Sequence, residues 1–94
     1  MARFVIKKTG EKEPFDPTKV EDSIRAAAAD ANLTPERTES VVNRVAAVII
    51  EMATKREEIA TSEIRARILK ELEVLEPSVA EAWKKFEQEH NKTA

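Results

Sequence analysis

An α+β domain, with a small N-terminal β-hairpin packed on a bundle of about four α-helices, is predicted by three features of the sequence. Residues 3–7 alternate in polarity and run into a Thr9-Gly10 turn signal. Helix-start chemistry then recurs at Asp16-Pro17, Thr34-Pro35, Thr61 and Pro77. Between these points the apolar residues fall at helical spacing.

The hairpin comes first. Phe4 and Ile6 point one way, Arg3, Val5 and Lys7 the other. Gly10, the chain's only glycine, can take a positive φ without steric cost. Glu13 to Phe15 is the expected returning strand, an edge because Pro14 lacks an N–H. A hairpin this small needs helices against it to persist.

Asp16 reads as an N-cap, with Pro17 at the first helical position and Phe15 and Val20 placed as a hydrophobic staple. This first helix continues through Val20, Ile24, Ala27, Ala28 and Ala31 and ends near Asn32. The run Ala26 to Ala29 allows a neighbouring helix to approach closely. Thr34-Pro35 opens a second helix with Val41, Val42, Val45, Val48, Ile49 and Met52 on its apolar face. Its β-branched residues would also suit a strand, but its length favours a buried helix. Lys55-Arg56-Glu57-Glu58 reads as a solvated loop. Thr61 is expected to cap a third helix facing inward with Ile64, Ile68, Leu69 and Leu72. Pro77 starts a fourth, where Val79, Trp83 and Phe86 recur at i, i+4 and i+7. Residues 1–90 make one domain and 91–94 a frayed tail.

At 94 residues there is room for one core, which can bury roughly 60–65% of the unfolded chain's surface without staples. The chain is 41% hydrophobic and 36% charged, too apolar for a disordered segment. The absence of cysteine excludes a disulfide framework and a thiolate zinc ribbon. The longest apolar block, Val45 to Ile50, is far too short to span a bilayer, and no signal-peptide segment is visible, so a cytoplasmic location is expected. Net charge is −2 overall, yet residues 1–20 carry +2 and the remainder −4. A locally basic corner on an acidic body suits a small anion better than a nucleic acid, which needs an extended positive track.

No catalytic constellation is present, and a non-enzyme is predicted. The one histidine, His90, lies near the polar end, and one glycine cannot build a phosphate-binding loop. The residues themselves leave two readings of Lys7, Lys8 and Lys19: cations converging on a phosphate at a helix start, or solvated lysines beside it. Asp16 at the cap repels anions and suits contact with a ribose or base. Trp83 and Phe86 read as core rather than a stacking platform, Thr61 as a plain cap, Arg65 as a surface partner of Glu63 or Glu58, and Lys84 and Lys85 as a solvated face.

Val5-Ile6-Lys7-Lys8-Thr9-Gly10, then Glu13-Pro14-Phe15-Asp16, Lys19-Val20 and Ile24, resembles the opening of the ATP-cone family. Ile59-Ala60-Thr61-Ser62-Glu63-Ile64 is similar to that family's third-helix start, and Val79-Ala80-Glu81-Ala82-Trp83 with Phe86 to its closing aromatic pattern. Members are regulatory nucleotide-binding domains, best known at the N-terminus of ribonucleotide reductase catalytic subunits and in a repressor of reductase genes. The resemblance implies a ligand of ATP or dATP, with or without Mg2+. It would place the base against Val5, Phe15 and Val20, Glu13 and Asp16 at the adenosine, and Lys7, Lys8 and Lys19 at the phosphates. Thr61 and Arg65 would close the site from the third helix. Lys8 stands where many members carry arginine, which loses a forked donor, and Thr9 where aspartate is common.

The implied function is a non-catalytic adenine-nucleotide sensor that changes its association with itself, as a homo-oligomer, or with a ribonucleotide reductase subunit in trans. The alternative is an interaction module on the same scaffold that has lost the nucleotide. A small nucleic-acid-binding protein is disfavoured by the acidic body and the lack of an aromatic-basic groove.

Overall fold

The computed structural model describes residues 4–7 and 9–91. The order is β1 (Phe4–Ile6), β2 (Lys12–Pro14), α1 (Pro17–Asp30), α2 (Pro35–Thr54), β3 (Glu58–Ala60), α3 (Thr61–Leu75) and α4 (Pro77–Asn91). Lys8 lies outside the described residues, as do 92–94 of the tail expected at 91–94, while the backbone of Asn91 belongs to α4.

β1 and β2 form the expected antiparallel hairpin, with Val5 opposite Glu13. The turn closes through Gly10 N donating to Lys7 O and Lys7 N donating to Glu11 O, each at 2.8 Å. Gly10 takes φ 90°, which is why glycine stands there. The returning strand runs one residue earlier than predicted, so that Phe15 is free to turn towards the helices.

A third strand corrects the reading of 55–58 as purely a solvated loop. β3 lies parallel to β1, pairing Val5 with Ile59, and the sheet order is β2-β1-β3. Only Ile59 of its three residues is buried, at 1% exposure, too little for a periodic signal. It reaches its partner β1 only after a long crossover through α1 and α2, which local patterning cannot register.

The starts of α1 and α2 follow the cap rules. Asp16 accepts from Thr18 N at 3.0 Å and Thr34 from Arg37 N at 3.2 Å, each before a proline. α1 ends in a Schellman arrangement: Asn32 at φ 60°, its N–H on Ala29 O and Leu33 N–H on Ala28 O. Thr61 is not the cap of α3. Ala60 holds the extended cap position without a side-chain bond, and Thr61 is the first helical residue. Its hydroxyl instead donates to Ile6 O at 3.3 Å, fastening α3 to the end of β1.

The four helices close a ring, α1 against α2 and α4, and α3 against α2 and α4. Ala27 and Ala28, both buried, let α1 approach closely. Ile24, Val41, Val42, Val45, Ile49, Leu72 and Val79 fill the centre at 1% exposure or less. Val5 and Ile59 bring one face of the sheet into that core, while Phe4 on the other face is 39% exposed. Arg25 forks across Glu39 at 3.0 and 3.1 Å, linking α1 to α2.

Candidate functional site

A recess of about 190 Å³ opens where the β2–α1 junction meets α3 and α4. Its walls are Val5, Phe15, Val20, Ile64, Ile68 and Trp83, with Pro14 beside them. Each comes from a different local cause. Val5 is on the inward face of β1; Phe15 and Val20, at the two staple positions flanking the start of α1, both pack against the core. Ile64 and Ile68 are one turn apart on α3, and Trp83 projects from α4 at 4% exposure.

The polar lining consists of Glu13, Asp16, Lys19, Ser23, Thr61, Arg65 and Glu87. Thus Val5, Glu13, Phe15, Asp16, Lys19, Val20, Thr61 and Arg65, singled out from sequence, border one cavity. Lys7 does not line it, but its ammonium lies 2.7 Å from Glu13 Oε1. Lys19 Nζ lies 3.9 Å from the other oxygen of the same carboxylate. The cations of β1's end and of α1's first turn therefore meet at Glu13. Lys8 falls outside the described residues.

These contacts set the charge states. The hydrogen bond from Lys7 holds the Glu13 carboxyl below its ordinary value, and Lys19 adds to this through its charge. The bond to Glu13 in turn raises Lys7. Lys12, on the opposite face of the sheet, is raised by Glu58 at 2.6 Å and takes no part in the recess.

The start of α1 adds less positive potential than an open helix end would. Thr18 N is bonded to the Asp16 side chain and Lys19 N to Asp16 O at 3.2 Å, while Pro17 has no N–H. Positive charge at this corner is carried by the lysine side chains.

Sequence reasoning missed Ser23 and Glu87 and took Ile64, Ile68 and Trp83 as core alone. Trp83 Nε1 donates to Ser23 Oγ at 3.4 Å, and Ser23 donates to Val20 O at 2.8 Å, so the indole is held against α1. Arg65 Nε lies 3.5 Å from Glu87 Oε2, joining α3 to α4 across the recess. Glu63 pairs with Arg56, and Glu58 with Lys12. Glu87 follows Trp83 by one helical turn, a spacing that could have flagged it.

The cavity is smaller than the roughly 300–1,000 Å³ typical of pockets that enclose a drug-sized ligand. A space of this size encloses only part of such a ligand, and Lys19 stands in its wall beside the apolar side chains. Among the described residues no group of three or more His, Cys, Asp or Glu could hold a metal, and no helix is long and apolar enough to cross a membrane.

The family model for the ATP cone domain matches residues 3–92. The ATP cone is a nucleotide-binding regulatory domain rather than a catalytic one, and such domains generally bind ATP or dATP. No curated protein matches the chain.

Proposed function

Because the chain belongs to the ATP-cone family, we propose that it is a non-catalytic sensor of ATP or dATP whose occupancy alters its association with itself or with a reductase-like partner. The adenosine occupies the apolar recess, against Val5, Phe15 and Val20, with Glu13 and Asp16 as its polar contacts. The phosphates lie outside, on Lys7, Lys19 and the adjacent Lys8. Thr61 and Arg65 approach from α3. A bound Mg2+ would share the phosphate oxygens rather than require a protein cage.

The observation that carries this reading is the meeting of two lysines, from separate elements, at the edge of an apolar cavity. An apolar pocket beside a cationic rim matches a ligand that is itself half aromatic and half polyanion. A switch further requires that the nucleotide bind one association state better than the other. The affected surface is expected to adjoin the recess, at the hairpin and the α3–α4 edge.

Native mass spectrometry with ATP, dATP and GTP tests the proposal. One saturable adenine-nucleotide adduct with a change in the oligomer distribution supports it. A spectrum without an adenine-nucleotide adduct would leave the interaction-module reading instead.

A further inference from the structure

The geometry points to Glu13 as an exchangeable internal anion: it holds Lys7 and Lys19 together in the nucleotide-free protein, and an incoming polyphosphate takes its place between them. This rests on the nucleotide-binding reading above and adds a step to it.

Glu13 lies directly opposite Val5 in the hairpin, so its side chain is on the face of the sheet that meets the helices. Its two oxygens are shared: Oε1 is 2.7 Å from Lys7 Nζ and Oε2 is 3.9 Å from Lys19 Nζ. The lysines come from β1's end and α1's first turn, and without an anion between them they would repel. A single carboxylate thus occupies the position that a phosphate group would need. The lysine side chains are 43% and 70% exposed, so a ligand in solution can reach both. A polyphosphate offers several negative charges where Glu13 offers one, which favours the exchange. Glu13 also lines the recess itself, so a carboxylate released from the lysines remains beside the cavity.

The arrangement has two consequences. The lysines are kept together before ligand arrives, which lowers the ordering cost of binding. The same carboxylate competes with the ligand, so anions of low charge should bind poorly and affinity should climb with the number of phosphates.

The test uses inorganic tripolyphosphate, which has no base or sugar. Isothermal titration of Glu13→Gln should show about five- to tenfold tighter tripolyphosphate binding than wild type at the same salt concentration. A parallel measurement needs no substitution: with the Lys7 ammonium 2.7 Å away, the Glu13 carboxyl carbon, followed by NMR, should titrate below its ordinary range in the free protein. Its midpoint should rise towards that range when tripolyphosphate is saturating. Wild-type protein that binds ATP, with Glu13→Gln no tighter for tripolyphosphate or a Glu13 midpoint that stays put, overturns the exchange and leaves the nucleotide site standing. Wild-type protein that binds neither ATP nor tripolyphosphate overturns both.

Discussion

Replacing Lys7 or Lys19 by alanine, one at a time, should weaken ATP binding by about tenfold to a hundredfold, because each removes a charged hydrogen-bond donor from the phosphates. The structure favours the lower end of that range. Both side chains are largely exposed, and in the free protein each already faces Glu13, so the ligand replaces one anionic contact by another. The double variant should lose less than the product of the two single effects, since both lysines act on one anion. Lys12→Ala is the control: it removes the same charge from the same hairpin, but from the face where Lys12 pairs with Glu58. Calorimetric titration with ATP at fixed ionic strength, with thermal melts to check folding, measures all four variants. Equal losses in Lys12→Ala and Lys7→Ala would reduce the effect to net charge. Unchanged affinity in both Lys7→Ala and Lys19→Ala would refute the phosphate role altogether.

Further outcomes concern the frame that shapes the recess. Thr61→Val should cost about 0.5–1.5 kcal/mol, because the hydroxyl hydrogen bond from α3 to Ile6 O is lost; denaturant unfolding that matches wild type would contradict this. Leu72→Ala, at a position with 0% exposure, should cost about 2–5 kcal/mol and lower the melting temperature by more than 8 °C. Acidification should destabilise the domain through Glu39, which hydrogen bonds from Arg25 hold below its ordinary pKa. A carboxyl depressed in the folded state contributes stability above its unfolded pKa and loses it as the pH falls through the folded value. Melting temperature should therefore fall from about pH 5 downward, and Glu39→Gln should flatten that limb; an identical acid limb in the variant would remove the Arg25 pair from the account.

What could be read from the sequence was what neighbouring residues decide between themselves. Asp16-Pro17 and Thr34-Pro35 fix their helices because cap, proline and staple act within one turn, and Gly10 marks the hairpin because few other residues adopt its φ. β3 was hidden because its pairing depends on where a long crossover returns the chain, with one buried residue as its only trace. Thr61 looks like a cap in sequence, yet its hydroxyl reaches sideways to Ile6 O, because α3 starts directly after β3, which lies alongside β1. Trp83 follows the inward stripe of its helix as predicted, but an inward stripe can wall a cavity as well as fill a core. The shared carboxylate of Glu13 follows from the hairpin's register, which sequence alone specified only to within a residue.

The central claim is that the space between hairpin and helices receives an adenine nucleotide, and amide and indole NMR during an ATP titration tests it most directly. Saturable shifts at Val5, Phe15, Val20, Thr61 and the Trp83 indole, with Lys7 and Lys19 responding to the phosphates, are the predicted result. Shifts confined to another face of the molecule, or a spectrum that ATP leaves unchanged, would contradict it.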